Sequence, residues 1–190
     1  MNLLLHICCG PCSIFPLFEL HKSDIQVTGY FHNPNIHPFQ EFKKRINSTI
    51  QVANQFNIDL DIDREYGLVD YMRRVVFHED QRCQICYDMR LKNVAHTAVK
   101  MGFNSFSTTL LYSKYQDHHR IREIANHWAN YYGTTFYYQD FRQGWQYGID
   151  QSIKLEVYRQ PYCGCIFSEQ ERYDNRLKKR LKKLRKKKTL

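Results

Sequence analysis

This 190-residue sequence predicts an α/β fold with a mainly parallel sheet flanked by helices. Three observations point there. Short apolar or β-branched runs of strand length alternate with stretches of helical spacing along the chain. No linker, repeat or second domain interrupts residues 1–175, and a chain of this size can bury one proper core. The first strand also runs straight into a Gly-Pro turn, placing that turn at a strand's carboxyl end, where ligands of such sheets bind.

The elements follow in order. Residues 2–7 form a buried strand, and the CCGPC turn hands over to a helix of about 13–22. DIQVTGYFHN (24–33) alternates β-branched and aromatic residues, which predicts a second strand. The prolines and asparagines of NPNIHP (33–38) mark a loop. Apolar residues at 39, 42, 46, 50, 53 and 56 predict an amphipathic helix over 39–57. IDLDID (58–63) is a third strand and YGLVDYMRRV (66–75) is helical. QRCQICYDMRLKNVAHTAVKMGF (81–103) is a longer helix closed near Gly102. NSFSTTLL (104–111) is a short strand, HHRIREIANHWANYYG (118–133) a helix with its own terminal glycine, and TTFYYQDF (134–141) another strand. QSIKLEVYRQ (151–160) is predicted helical up to Pro161, and a last helix begins near Ser168 and runs into a basic tail.

Charge is distributed unevenly. The net charge is +9, yet residues 176–188 (RLKKRLKKLRKKK) hold ten Lys or Arg and no acid, and the rest has 18 basic residues against 19 acidic ones. Leucines 177, 181 and 184 make this segment a basic amphipathic helix, so the chain divides into an α/β domain (1–175) and a C-terminal tail (176–190) suited to a polyanion. No N-terminal signal and no apolar stretch of roughly 20 residues is visible, so no membrane partner is expected and the chain reads as cytoplasmic.

In a reducing compartment seven cysteines indicate metal or redox chemistry, and their odd count leaves one thiol over from any full pairing. They fall into three groups: Cys8, Cys9 and Cys12 in HICCGPCS; Cys83 and Cys86 in RCQICY; Cys163 and Cys165 in YCGC. The C-x-x-C pair can aim two thiolates at one metal or cluster from one helical turn. A thioredoxin-like dithiol would leave five cysteines without a role, and a structural zinc site would leave three. Zinc and iron–sulfur both accept four thiolates, so this donor set is compatible with either.

Other candidates surround these motifs. Asn33 and Asn35 lie in the FHNPN loop, which also suffices as a turn. Ser107, Thr108 and Thr109 follow a strand where a phosphate or base can be received. Asp140 and Arg142 in QDFR, with Tyr158 and Arg159 in VYRQ, sit beside motif glycines or cysteines. A nucleotide-activating enzyme of similar fold would want a Gly/Ser-rich phosphate loop where cysteines and proline stand. A zinc-stabilised nucleic-acid-binding module would explain the tail and four thiols only.

HICCGPCS, RCQICYDMRL, FSTTLLYSKYQDHHRI, YYQDFRQGW and VYRQPYCGCIFSE together resemble the QueH-type epoxyqueuosine reductases, in order, over most of residues 2–171. The resemblance implies an adenine-nucleotide-hydrolase-like (HUP-type) architecture and a cobalamin-independent oxidoreductase. It implies reduction of epoxyqueuosine to queuosine at the tRNA wobble position, with a [4Fe–4S] cluster and a second iron. It further implies that Cys8, Cys9, Cys83 and Cys86 hold the cluster, and that Cys12, Cys163 and Cys165 surround the second metal or form a redox pair. Position 12 is aspartate in some relatives, and a thiolate there is a softer anionic ligand. Cys12, Asp140 and Arg142 become catalytic candidates. Asn33, Asn35, Ser107, Thr108, Thr109, Tyr158 and Arg159 become substrate-binding candidates. The partners implied are tRNA and a low-potential electron donor such as ferredoxin or flavodoxin.

Overall fold

The computed structural model describes residues 1–176 and 178. Its centre is a five-stranded sheet in the order β3-β2-β1-β4-β5. The strands are β1 (Asn2–His6), β2 (Gln26–Phe31), β3 (Leu60–Ile62), β4 (Ser105–Thr108) and β5 (Thr135–Phe136), and every pairing is parallel. The expected parallel α/β arrangement is therefore present. Parallel strands need crossovers that cover both faces, and right-handed crossovers put helices on opposite sides once growth reverses direction. The reversal occurs at β1, the central strand. Helix α1 (Gly10–Lys22) packs on α2 (Phe39–Phe56), and α4 (Arg82–Lys100) packs on α5 (His118–Tyr132) and on α3 (Leu68–Val75). Leu3, Leu4 and Leu5 of β1 are consequently wholly buried, each contributing about 1.5–3 kcal/mol.

Local chemistry sets most boundaries. Asn57 takes a left-handed conformation to end α2, and Gly133 does the same for α5. Asp117 caps α5 by accepting from the Arg120 N–H at 3.0 Å. Strands β2, β3 and β4 and helix α3 are shorter than expected, and four further boundaries differ. Helix α1 starts at Gly10 rather than near residue 13, because Pro11 suits a first turn and Gly10 lies against α2. A Cβ on Gly10 would fall 2.3 Å from the Ser48 carbonyl oxygen. Strand β5 has two residues instead of eight, since β4 itself ends as the chain turns at Thr109–Tyr112. Helix α6 spans Trp145–Lys154, earlier than the predicted 151–160. Its Gly144 and Gly148 press on Phe15 and Tyr112 with no room for a Cβ, and Glu156 turns the chain out at φ 52°. Helix α7 (Ile166–Tyr173) stops at Asp174, whose side chain accepts from the Arg176 N–H and starts a separate turn. The predicted basic helix beyond it lies almost wholly outside the described residues. Among those described, no helix is long and apolar enough to cross a membrane.

The loop before α2 carries a pH-sensitive group. His37 is buried between the rings of Tyr66 and Tyr71, and neither of its nitrogens has a hydrogen-bond partner among the described residues. Burial lowers its pKa from 6.5 to about 4. The unfolded chain therefore takes up a proton first as pH falls. Stability attributable to neutral His37 is complete above about pH 6.5 and is lost progressively towards pH 4, by up to about 3 kcal/mol. Denaturant titrations across this range should show the decline, and His37→Phe should flatten it.

Candidate metal centre and its cavity

The turn after β1 places three thiols together. Cys9 occupies the N-cap of α1 and Cys12 its first turn, so their side chains return towards Cys8. The three sulfurs lie within 4.8 Å of one another, all buried, and this soft donor set can hold a metal ion. Pro16, one turn on, lacks the N–H that would reach the Cys12 carbonyl. Hydrogen bonds from Cys12 and Cys9 pull the Cys8 thiol well below its usual range against the cost of burial, with Arg90 and Thr109 adding to the effect. Burial pushes Cys9 up, and the neighbouring Cys8 and Cys9 sulfurs, with burial, push Cys12 up.

The end of β4 completes the turn from the far side of the reversal point. The Cys8 N–H donates to Thr109 Oγ1 at 3.0 Å, and that hydroxyl donates to Cys8 Sγ at 3.3 Å. Thr108 Oγ1 lies 2.8 Å from His6 Nδ1 and accepts from the Leu110 N–H. With the His32 carbonyl accepting from Nε2 at 3.1 Å, His6 is a satisfied core residue. Burial, with Arg90 assisting, drives its pKa down to about 3. Ser107 is buried, and among the described residues its hydroxyl has no hydrogen-bond partner. Asn33 Nδ2 donates to the Ile7 carbonyl at 2.9 Å. Asn35 bridges a thiol and a guanidinium, donating to Cys86 Sγ at 3.1 Å while accepting from Arg90 Nε at 2.8 Å.

The other four thiols gather where α4 begins. Cys83 and Cys86 stand on its first turns, and burial raises both, Cys86 to about 12. The proximity of Cys163 and Cys165 also raises them. Gly164 between these two adopts φ 156°, a region open to glycine. Ser168 clasps the hairpin, accepting from the Gly164 N–H and donating to the Cys165 carbonyl. Gln116 and Gln160 point their amides at Cys163 Sγ and Cys12 Sγ, both at 3.4 Å.

Two buried guanidinium groups, unidentified from sequence, balance this sulfur-rich region. Arg90 acts on both Cys8 and Cys86, and its Nη2 has no hydrogen-bond partner among the described residues. Its position was legible in principle, since Arg90 follows Cys86 by one helical turn in CYDMR. Arg45 lies between Phe42 and Ile46 in the apolar stripe of α2. It donates from Nη1 to the Cys163 carbonyl at 2.7 Å and from Nη2 to the Tyr162 carbonyl at 2.9 Å. Its Nε reaches Glu41 at 2.7 Å, and the second Glu41 oxygen accepts from Tyr158. Tyr158 is therefore bound to the framework.

Cys8, Cys12 and Cys163 line one cavity of about 580 Å³ with Arg45, Arg90 and Arg159. Asp140 and Arg142 are not part of its wall. They form a half-exposed ion pair with each other, on a loop joined to the post-β4 turn by the Phe141 N–H and the Leu111 carbonyl. The hydrogen bond from Arg142 holds Asp140 down to about 2.

Comparison with known proteins agrees with this architecture. The family described as "Epoxyqueuosine reductase QueH" matches residues 3–171. A protein of that name from Dehalococcoides mccartyi is 34% identical over 172 residues, covering 90% of this chain and 94% of the relative. Another from Thermotoga maritima is 35% identical over 182 residues, covering 90% and 92%. A solved structure titled as a predicted subunit of tRNA methyltransferase from Methanocaldococcus jannaschii superposes with TM-score 0.54. It covers 80% of this chain and 76% of that one at 9% identity, a likeness of fold alone.

Proposed function

Because the chain belongs to the QueH family of epoxyqueuosine reductases, we propose that it reduces epoxyqueuosine in tRNA to queuosine, the final step in making that nucleoside. The reaction takes two electrons and two protons, opens the epoxide to an alkene and releases its oxygen as water. The observation that carries the reading is the cavity lined by sulfurs from residues 8, 12 and 163 beside buried cations.

We assign Cys8, Cys9, Cys83 and Cys86 to a [4Fe–4S] cluster, and Cys12, Cys163 and Cys165 to a second iron or a redox pair beside it. The donor set fits: all seven are free thiols, and Arg90, with an unpartnered nitrogen, adjoins both Cys8 and Cys86. When bound, the cluster supplies electrons singly and the second iron supplies a Lewis acid for the departing oxygen. The protein's own groups prepare the site. Arg45 and Arg90 offset thiolate charge in a dry environment, Thr109 and Asn35 orient Cys8 and Cys86, and Gln160 orients Cys12. Arg159 on the cavity wall is placed to contact substrate. Asp140, held down to about 2 by its hydrogen bond from Arg142, is no proton donor at neutral pH, and the pair lies outside the cavity wall. A second partition is favoured by the mutual approach of Cys8, Cys9 and Cys12: these three as one centre, and Cys83, Cys86, Cys163 and Cys165 as the other.

The test is anaerobic purification with iron and sulfide analysis, then mass spectrometry of nucleosides from epoxyqueuosine-containing tRNA treated with protein and a low-potential reductant. Queuosine should appear in step with bound iron; its absence with iron-loaded protein sinks the proposal. A ferredoxin or flavodoxin is the proposed donor, and the cytoplasm, where tRNA resides, the proposed location.

Residues 176–190 extend the α/β domain as an RNA-binding tail on this reading. Deleting them should weaken tRNA binding at physiological salt and reduce the slope of log affinity on log salt, by up to about 0.7–0.9 per lost phosphate contact. Turnover at saturating substrate should persist. An unchanged slope would remove the tail from the interface.

A further inference from the structure

Three rings form a ladder from the core to solvent. Tyr112 is buried, its hydroxyl donates to the Trp145 carbonyl at 2.8 Å, and its ring stacks on Trp145 with centroids 5.3 Å apart. Tyr115 meets Trp145 edge-on at 5.6 Å. The support is rigid, because Gly148 of α6 lies so close that a Cβ would fall 2.2 Å from the Tyr112 hydroxyl. Tyr115 itself is 84% exposed, its ring resting edge-on against Trp145 and its N–H donating to Ser113 Oγ at 3.2 Å. All three rings line the cavity that holds Cys8, Cys12 and Cys163. Cations flank them: Lys114 Nζ lies 5.7 Å from the Trp145 ring centre, and Arg159 and Arg172 share the cavity wall.

A solvent-exposed ring on a fixed pedestal, with cations beside it and the reactive thiols below, matches the recognition of single-stranded nucleic acid. Unstacked bases lie on aromatic faces while cations take the flanking phosphates. Duplex RNA offers no free base face. We propose that Tyr115 stacks an unpaired base adjoining the target nucleotide, supported by Trp145 and Tyr112, with Lys114 and Arg159 meeting the neighbouring phosphates. This rests on the reading of the chain as acting on tRNA.

The test compares full-length protein on an unmodified RNA hairpin with a single-stranded anticodon loop and on a fully paired RNA of equal length, by fluorescence anisotropy at fixed salt. Tyr115→Ala should weaken hairpin binding about tenfold and leave duplex binding unchanged, while Tyr115→Phe restores it to within about twofold. Equal loss on both RNAs, no loss on the hairpin, or no measurable hairpin binding by the unmutated protein overturns the proposal. Turnover by the unmutated protein is measured separately. Absent turnover with a loop-selective loss removes the reductase reading and keeps the stacking site; normal turnover without that loss removes the stacking site alone.

Discussion

Replacing Cys12 by alanine should abolish epoxyqueuosine reduction while leaving the visible absorption of thiolate-bound iron in place. The reason is position. Cys12 Sγ belongs to the buried trio within 4.8 Å, faces the cavity and is held by Gln160 at 3.4 Å. On the leading assignment it is no cluster ligand, so absorption near about 400 nm should survive. Turnover should fall more than about a hundredfold, beyond the usual effect of losing a group that merely supports a ligand. Unaffected turnover would remove Cys12 from the chemistry. Cys163→Ala separates the two partitions of the thiols. It spares the absorption on the leading assignment and destroys it if Cys83, Cys86, Cys163 and Cys165 hold the cluster.

The second large effect concerns Arg45. Burial works against its charge, and the Glu41 carboxylate at 2.7 Å offsets this and keeps the guanidinium protonated. Arg45→Met keeps much of the volume yet strands the buried Glu41 carboxylate and leaves the Tyr162 and Cys163 carbonyls without donors. Breaking such a pair from one side costs about 3–5 kcal/mol. Denaturant midpoints should fall accordingly, and Arg45→Met combined with Glu41→Gln should recover part of the loss. Arg45→Lys should not restore stability, because a single ammonium lacks the planar fork that serves three acceptors. Full stability in Arg45→Met would show that the YCGC hairpin is anchored by other means.

Much of the architecture was readable because it depends on local pattern. The apolar run at 2–7, the stripe of α2 and the glycine after α5 each specify an element without reference to distant chain. Motif spacing likewise identified all seven cysteines as a set. The start of α6 was not readable: Gly144 and Gly148 look like breaks in a helix until Phe15 and Tyr112 are found filling the space. The role of Arg45 was hidden similarly. A charged residue within an apolar stripe is read as facing solvent unless its partners are known, and these come from residues 41, 162 and 163. Motif position drew attention to Asp140 and Arg142, but that they pair with each other outside the cavity wall was set by the fold.

By itself, then, the order of residues determined the parallel α/β layering, the supply of thiols and the concentration of positive charge at one end, because periodicity and composition act over short range. Only tertiary structure decided that Cys8, Cys12 and Cys163 share a cavity, that two guanidinium groups balance them and that Tyr115 stands uncovered at its wall. Those facts arise where the sheet reverses its direction of growth at β1 and brings together loops from distant parts of the chain, and no local pattern records which side chains will meet there.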